Sequence, residues 1–286
     1  MDSNRIAAIA QRQSENLRTL EQRAIADATR PLAQALTEAQ AAATARWVRE
    51  TVGAQIPARL ADFIDWVRGL LRNAFANKPR QAQAAAERTA FAAAVNSLQQ
   101  ATALATAMSS QPSPAVTPAV GPEAQEATDQ IPAAVQEEQG RALALLAGAG
   151  LGSMGLAGLH AVFKRARKAV GRIATAMAVA INSATAHAAR LVAQALGPGV
   201  RLVWAAEPGA CPACAAYAGR HIRPGGLFPG GLSLDPQRTV FTAALAGPPR
   251  HPHCRCVVIA WSPSWPITGT PLPALLRQQA RTTRRP

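Results

Sequence analysis

Cys211, Cys214, Cys254 and Cys256 are the only cysteines in the chain, and they fall in two close pairs. Deprotonated thiols bind zinc tetrahedrally, and closed structural sites use four cysteines, or three with a histidine. Cys211-x-x-Cys214 has the usual knuckle spacing. Cys254-x-Cys256 is tighter, but on an extended backbone residues two apart share a face. Both sulfurs can then meet one ion while Arg255 turns away. His251, three residues before Cys254, is the alternative ligand, whereas His253 alternates with Cys254 and should face elsewhere. Four thiolates leave no open position for water, so a structural zinc is expected rather than a catalytic one. Disulfides are the alternative in a particle outside cells, and plain buried thiols are the third reading.

Two apolar runs must bring these pairs together. Val200–Trp204 (VRLVW) and Cys256–Trp261 (CVVIAW) are rich in β-branched and aromatic residues and bounded by Gly and Pro, so both read as strands. Before them, His160–Leu196 has helical periodicity through Phe163, Ile173, Met177, Ile181, Ala184 and Ala188. Gly197-Pro198-Gly199 stops that helix. Lys164, Arg165, Arg167, Lys168 and Arg172 crowd its first turns, against the helix dipole. They are the candidate nucleic-acid contacts, which would act on phosphates and be salt-sensitive and sequence-blind; a solvated basic face is the bland alternative. The net charge of +14 lies entirely after Leu159, where Glu207 and Asp235 are the only acids.

Trp204, Cys211, Cys214, Gly219 and the box His251-Pro252-x-Cys254-Arg255-Cys256, preceded by a helix carrying Arg172, Thr175 and Asn182, resemble the phage Mu F-like head morphogenesis family of minor capsid proteins. The likeness covers roughly residues 162–261. This chain has Glu207 where members often carry Asp, and its insert Arg223–Gly231 is unusually glycine-rich. The resemblance implies a low-copy virion protein at the capsid interior or portal vertex; the start MDSNRIAAIAQRQ has no apolar run of a secretory signal, so synthesis in the host cytoplasm is expected. Its partners would be portal and other capsid proteins and phage DNA, and its role would be head assembly and DNA packaging or ejection.

The rest of the chain reads as support. Ala-rich composition with 4% aromatics favours helix. The expected fold is mainly α: an elongated N-terminal helical arm or bundle (1–108), then a Pro- and acid-rich linker (109–140). A glycine-rich apolar segment and the basic helix (141–199), the Cys-rich α+β module (200–261) with a short antiparallel strand pair, and a basic, disordered tail (262–286) follow. Pro31 should kink or restart the first helix, residues 53–57 should break the chain, and residues 233–247 are a candidate for a short turn of helix. Leu60 to Phe75 gives the best apolar stripe. Ala142–Phe163 carries no charge, so a membrane-active segment competes there with a hinge between helices.

No catalytic or organic-cofactor residues emerge. A zinc-supported HNH-like nuclease, with His251 or His253 as base, lacks carboxylates in the basic half. A protease reading lacks a Gly-x-Ser-x-Gly elbow. A free zinc-ribbon DNA-binding protein is the remaining alternative.

Overall fold

The computed structural model describes residues 1–51, 57–147, 150–235, 237 and 241–282. In chain order its elements are α1 (Ser3–Thr51), α2 (Pro57–Phe75), α3 (Lys78–Ser109), α4 (Pro122–Asp129), α5 (Ile131–Ala147), α6 (Gly150–Ala166), α7 (Lys168–Ala195), β1 (Arg201–Ala205), α8 (Pro212–Ala215), β2 (His221–Ile222), β3 (Val257–Trp261) and α9 (Leu272–Thr282). The protein is mainly helical with one small antiparallel sheet, as the sequence implies.

Two compact units divide the chain, and neither is contiguous. One takes Met1–Arg23, Glu87–Ala127 and Met177–Pro286; the other takes Ala24–Ala86 and Thr128–Ala176. The expected division into a helical arm and a separate Cys-rich module therefore gives way: α1, α3 and α7 each run through both units. Long amphipathic helices offer apolar stripes over their whole length, so different stretches of one helix enter different cores.

In the second unit, Phe63, Val67, Leu71 and Phe75 of α2 are buried along the predicted stripe. Phe63 meets Trp47 edge-on at 5.2 Å. Pro31 neither breaks nor restarts α1, which is continuous through it. Proline removes one backbone hydrogen bond at a cost of about 3 kcal/mol, and burial of Leu32, Leu36 and Ala43 just beyond offsets it. The linker is shorter than expected. Residues 110–121 and the single turn residue Gln130 lack regular structure; Pro122 opens α4, and α5 begins at Ile131. Proline suits a first helical turn, and Glu123 favours the positive end of the α4 dipole.

The apolar stretch 142–163 is shared between α5 and α6, which pack on each other. Gly148 lies outside the described residues, as do 53–56, part of 233–247 and the last four residues of the tail. No helix among the described residues is long and apolar enough to cross a membrane. The long helix expected over 160–196 is two, parted at Arg167, and α6 bends at Gly155, whose φ of 52° is left-handed.

In the first unit the sheet order is β2-β1-β3, antiparallel, with Val203 opposite Ile259 and His221. The β1–β3 pair is the expected one; β2 is additional. Leu202, Trp204, Val258 and Ala260 share a core with Ala188, Ala189 and Val192 of α7. Trp204 packs on Tyr217 at 5.1 Å and Phe228 at 5.2 Å between ring centroids.

The described part of the tail, residues 262–282, is ordered. Thr268 exchanges backbone hydrogen bonds with the chain start, donating to Met1 and accepting from Ser3. Leu272, Leu275, Leu276 and Ala280 of α9 are buried. Gly219 shows how closely α9 approaches: its φ is 68°, and a Cβ there would overlap the carbonyl oxygen of Pro273. A left-handed non-glycine costs about 1–3 kcal/mol before any clash. Gly219→Ala is thus expected to destabilise the first unit by at least ~2 kcal/mol, read as a lower urea midpoint at unchanged slope.

Candidate metal centre

The β1–β3 ladder closes the loop between the cysteine pairs, and the two arms meet over Trp204. Cys211 caps α8 with an extended backbone (φ −62°, ψ 159°), and its sulfur accepts from the Cys214 N–H; Pro212 pre-sets the first turn. Two sets of three donors result, Cys211–Cys214–His251 and Cys214–Cys254–Cys256, each mutually within 4.8 Å. Cys214 belongs to both. Its sulfur lies 3.2 Å from His251 Nε2 and 3.5 Å from Cys254 Sγ, and Cys211 Sγ lies 3.3 Å from the same nitrogen. With metal–sulfur bonds near 2.3 Å and metal–nitrogen bonds near 2.0 Å, a tetrahedral site has edges of about 3.5–3.8 Å. The donors could hold a metal ion at that spacing.

His251 presents Nε2 because its Nδ1 sits 2.8 Å from the Pro252 carbonyl, an outer bond that fixes the ring. The disulfide alternative is corrected here: all four cysteines are free. The 3.5 Å between Cys214 and Cys254 is far beyond a bond of about 2.05 Å.

Crowded sulfurs cannot all ionise by themselves. Hydrogen bonds from Cys214 and, secondarily, His251 pull the Cys211 thiol down to about 4 against the opposing burial. The bond with Cys211 raises His251 to about 9. Cys214 is pushed up as donor to Cys211, Cys254 and Cys256. Cys254 is pulled down by donation from Cys214 and Cys256, helped by the Arg250 N–H. Cys256 receives from Cys214, but donation to Cys254 and burial outweigh this and push it up. Two thiolates thus alternate with two thiols. A bound cation removes the need for those shared protons, so uptake by the four sulfurs at pH 7 should release about two protons, from Cys214 and Cys256, and a set that includes His251 would release its imidazolium proton as well. Titration calorimetry in buffers of different ionisation enthalpy measures that number; zero release would contradict this protonation pattern.

A second cluster flanks the centre. Glu21 of α1 is 1% exposed. It takes His253 Nδ1 at 2.6 Å and Arg255 Nη2 at 3.0 Å on Oε1, and Asn182 Nδ2 at 3.2 Å on Oε2. Glu207 accepts from the Arg255 backbone N–H at 3.2 Å and from Arg18 Nη2 at 3.0 Å. Its own N–H lowers the Cys256 thiol by hydrogen bonding, so Glu207 couples one arm of the centre to the other. Arg255 and His253 turn from the sulfurs, as alternation requires. His253 has a left-handed φ of 61°, which its contact with Glu21 helps hold. Sequence reasoning missed Glu21 and Arg18. The signal was an acid on the buried stripe Ile6, Ala10, Leu17, where a helix one turn further on should continue apolar.

The basic residues belong to the second unit, and this chemistry to the first. Arg165 and Arg172 pair with buried Glu138 at 2.8 Å and 3.2 Å, and Arg167 bonds Gln40. Lys164 and Lys168 are exposed. No family model, curated protein or solved structure matches the chain, so its function is argued from these residues.

Proposed function

We propose that the chain is a portal-associated minor capsid or head morphogenesis protein of a tailed phage, non-enzymatic, whose C-terminal lobe is stapled by zinc. The supporting observation is the convergence of Cys211, Cys214, His251, Cys254 and Cys256 from two ends of one loop. All-sulfur and sulfur–nitrogen donor sets suit zinc. A closed set of four supplies folding energy rather than a reactive water. Elemental analysis of purified particles, alongside mass spectrometry of their proteins, tests this. One zinc per chain in the particle is expected; a particle without the chain would overturn the reading.

Phage DNA is the proposed polyanionic partner. Arg165 and Arg172 share the single carboxylate of Glu138, so part of their charge remains, and the exposed Lys164 and Lys168 add two unpaired charges at that bend. Each phosphate left without its cation should reduce the salt slope of binding by about 0.9, so a Lys164→Gln, Lys168→Gln double variant is expected to flatten it by about 2. An unchanged slope removes these lysines from the interface.

The Glu21–His253 pair favours a second reading, a metal-supported nuclease, because it supplies the carboxylate–histidine contact that the basic half lacks. Arg255 shares the same carboxylate oxygen, which suits a structural clamp better. Plasmid nicking by the purified protein, lost in His253→Ala with metal retained, would select the nuclease.

A further inference from the structure

The face of the sheet that carries Val203 ends in a basic row. Arg201 stands directly opposite Trp261 of β3. On its other side β1 pairs Leu202 with Ile222 and Val203 with His221, so one residue further along that register Arg223 comes opposite Arg201. Like charges directly opposite each other destabilise a sheet. Among the described residues no carboxylate pairs with Arg201 or Arg223 to relieve this.

Helix α9 extends the row. Because Gly219 has no Cβ, α9 comes close enough for Arg277 Nη1 to donate to the Gly219 carbonyl at 3.3 Å. Arg281, one turn on, shares that face of α9. Arg201, Arg223, Arg277 and Arg281 are all exposed. Burial, then the charge of Arg201 and more weakly that of Arg277, hold His221 below its ordinary range, against a Gly219 backbone bond that raises it. Its ring lies 5.4 Å from that of Trp261.

Acids are scarce in this lobe. From Met177 to Pro286 the only two are Glu207 and Asp235, and Arg18 and Arg255 take Glu207. Other arginines of the lobe serve the fold: Arg250 bonds the carbonyls of Phe241 and Ala243. The side chains of Arg201, Arg223 and Arg281 have no such partner among the described residues. Their charges raise the energy of the fold, and nothing within it offsets them.

We propose that this row is a docking surface for the sugar–phosphate backbone of duplex DNA. It deepens the DNA-partner reading above but stands on other residues, in the other compact unit. Guanidinium forks match phosphate oxygens in pairs. A duplex carries a charge about every 3.4 Å along each strand. Neighbouring β-strands lie about 4.8 Å apart, and residues one helical turn apart about 6 Å, so several arginines can each meet a phosphate. None of the large exposed apolar side chains belongs to the row, so a protein partner would find no anchor on it.

The test follows the salt dependence of binding between the full chain and a labelled DNA duplex of random sequence. Arg201→Gln, Arg223→Gln removes two opposed charges, so the urea midpoint should not fall. The slope of log affinity against log salt should flatten by about 2, at 0.9 for each lost phosphate contact. An unchanged slope overturns the surface; if Lys164→Gln, Lys168→Gln flattens it meanwhile, the DNA reading survives. Arg72→Gln, Arg80→Gln takes the same charge from exposed positions of the second unit. Equal flattening there shows an effect of net charge only and overturns the surface. A natural chain that binds no duplex at low salt overturns both. Displacement of the duplex by poly-glutamate at equal charge concentration assigns the row to an acidic protein and overturns a nucleic-acid occupant. Should the double variant not fold, Arg281→Gln alone should flatten the slope by about 1, and an unchanged slope in that variant decides against the row.

Discussion

Cys214→Ser should leave the purified protein with almost no metal and a C-terminal lobe that no longer melts cooperatively. Cys214 is the one donor common to both triads. Its loss takes a ligand from either possible set, whereas the half-exposed Cys211 sits in one set beside His251, which could stand in for it. A serine hydroxyl remains protonated near neutral pH and is a poor ligand for a soft cation. Around the centre there is little to compensate: β2 has two residues, α8 has four, and the loop from Gly225 to Gly231 holds four glycines. Small zinc modules owe about 10–16 kcal/mol of apparent binding energy to the ion. Here α7 and α3 share the core, so part of that fold survives. A loss above ~4 kcal/mol is expected, in the range reserved for removed metals and disulfides. Elemental analysis and near-ultraviolet dichroism of Trp204 would show it. The α2 stripe belongs to the other compact unit and should keep its helical signal. Full metal content with unchanged melting would remove Cys214 from the centre.

What could be read from residue order alone was local. Strand propensity in Val200–Trp204 and Cys256–Trp261 and the two-residue alternation of Cys254 and Cys256 are short-range properties, and the sheet and the sulfur cluster follow from them. The Glu21–His253 contact joins residues 232 apart, and no spacing rule reaches that far. Other misses were readable but outvoted. The tail ends in Arg, Thr and Pro, which hid the i, i+3, i+4, i+8 pattern of Leu272, Leu275, Leu276 and Ala280. Prolines at 122 and 132 looked like linker residues, yet both sit in the first turn of a helix. Pro31 misled for the opposite reason: burial on both sides of it in α1 outweighs a local penalty that is correctly large. The basic cluster was legible as charge, but not the fact that Glu138 would occupy Arg165 and Arg172. That depends on α5 folding against α6 and α7 rather than serving as linker.

Removing Glu21 tests whether the clamp beside the metal centre is structural. Glu21→Ala leaves Arg255, with a side chain 17% exposed, facing an apolar void where its carboxylate stood. Breaking one side of a buried pair costs about 3–5 kcal/mol, most of it the burden of the charge left behind. Glu207 remains only 3.9 Å from Arg255 Nη1 and relieves part of that burden. The lower end, about 3 kcal/mol, is therefore expected from the urea midpoint. Truncating His253, whose side chain is 45% exposed, should cost much less. The decisive comparison is a double-mutant cycle. In an Arg255→Met background the guanidinium is gone and a thioether fills the space, so Glu21→Ala should cost at least ~1 kcal/mol less than in the natural chain. If the cost is the same in both backgrounds, the carboxylate acts through Asn182 and packing instead, and α1 is not held to the Cys254–Cys256 arm by charge. If it falls, the N-terminal helix and the metal loop are one electrostatic unit. Chelation should then loosen the packing of α1 near Glu21, because freeing Cys254 and Cys256 also frees the Arg255 between them.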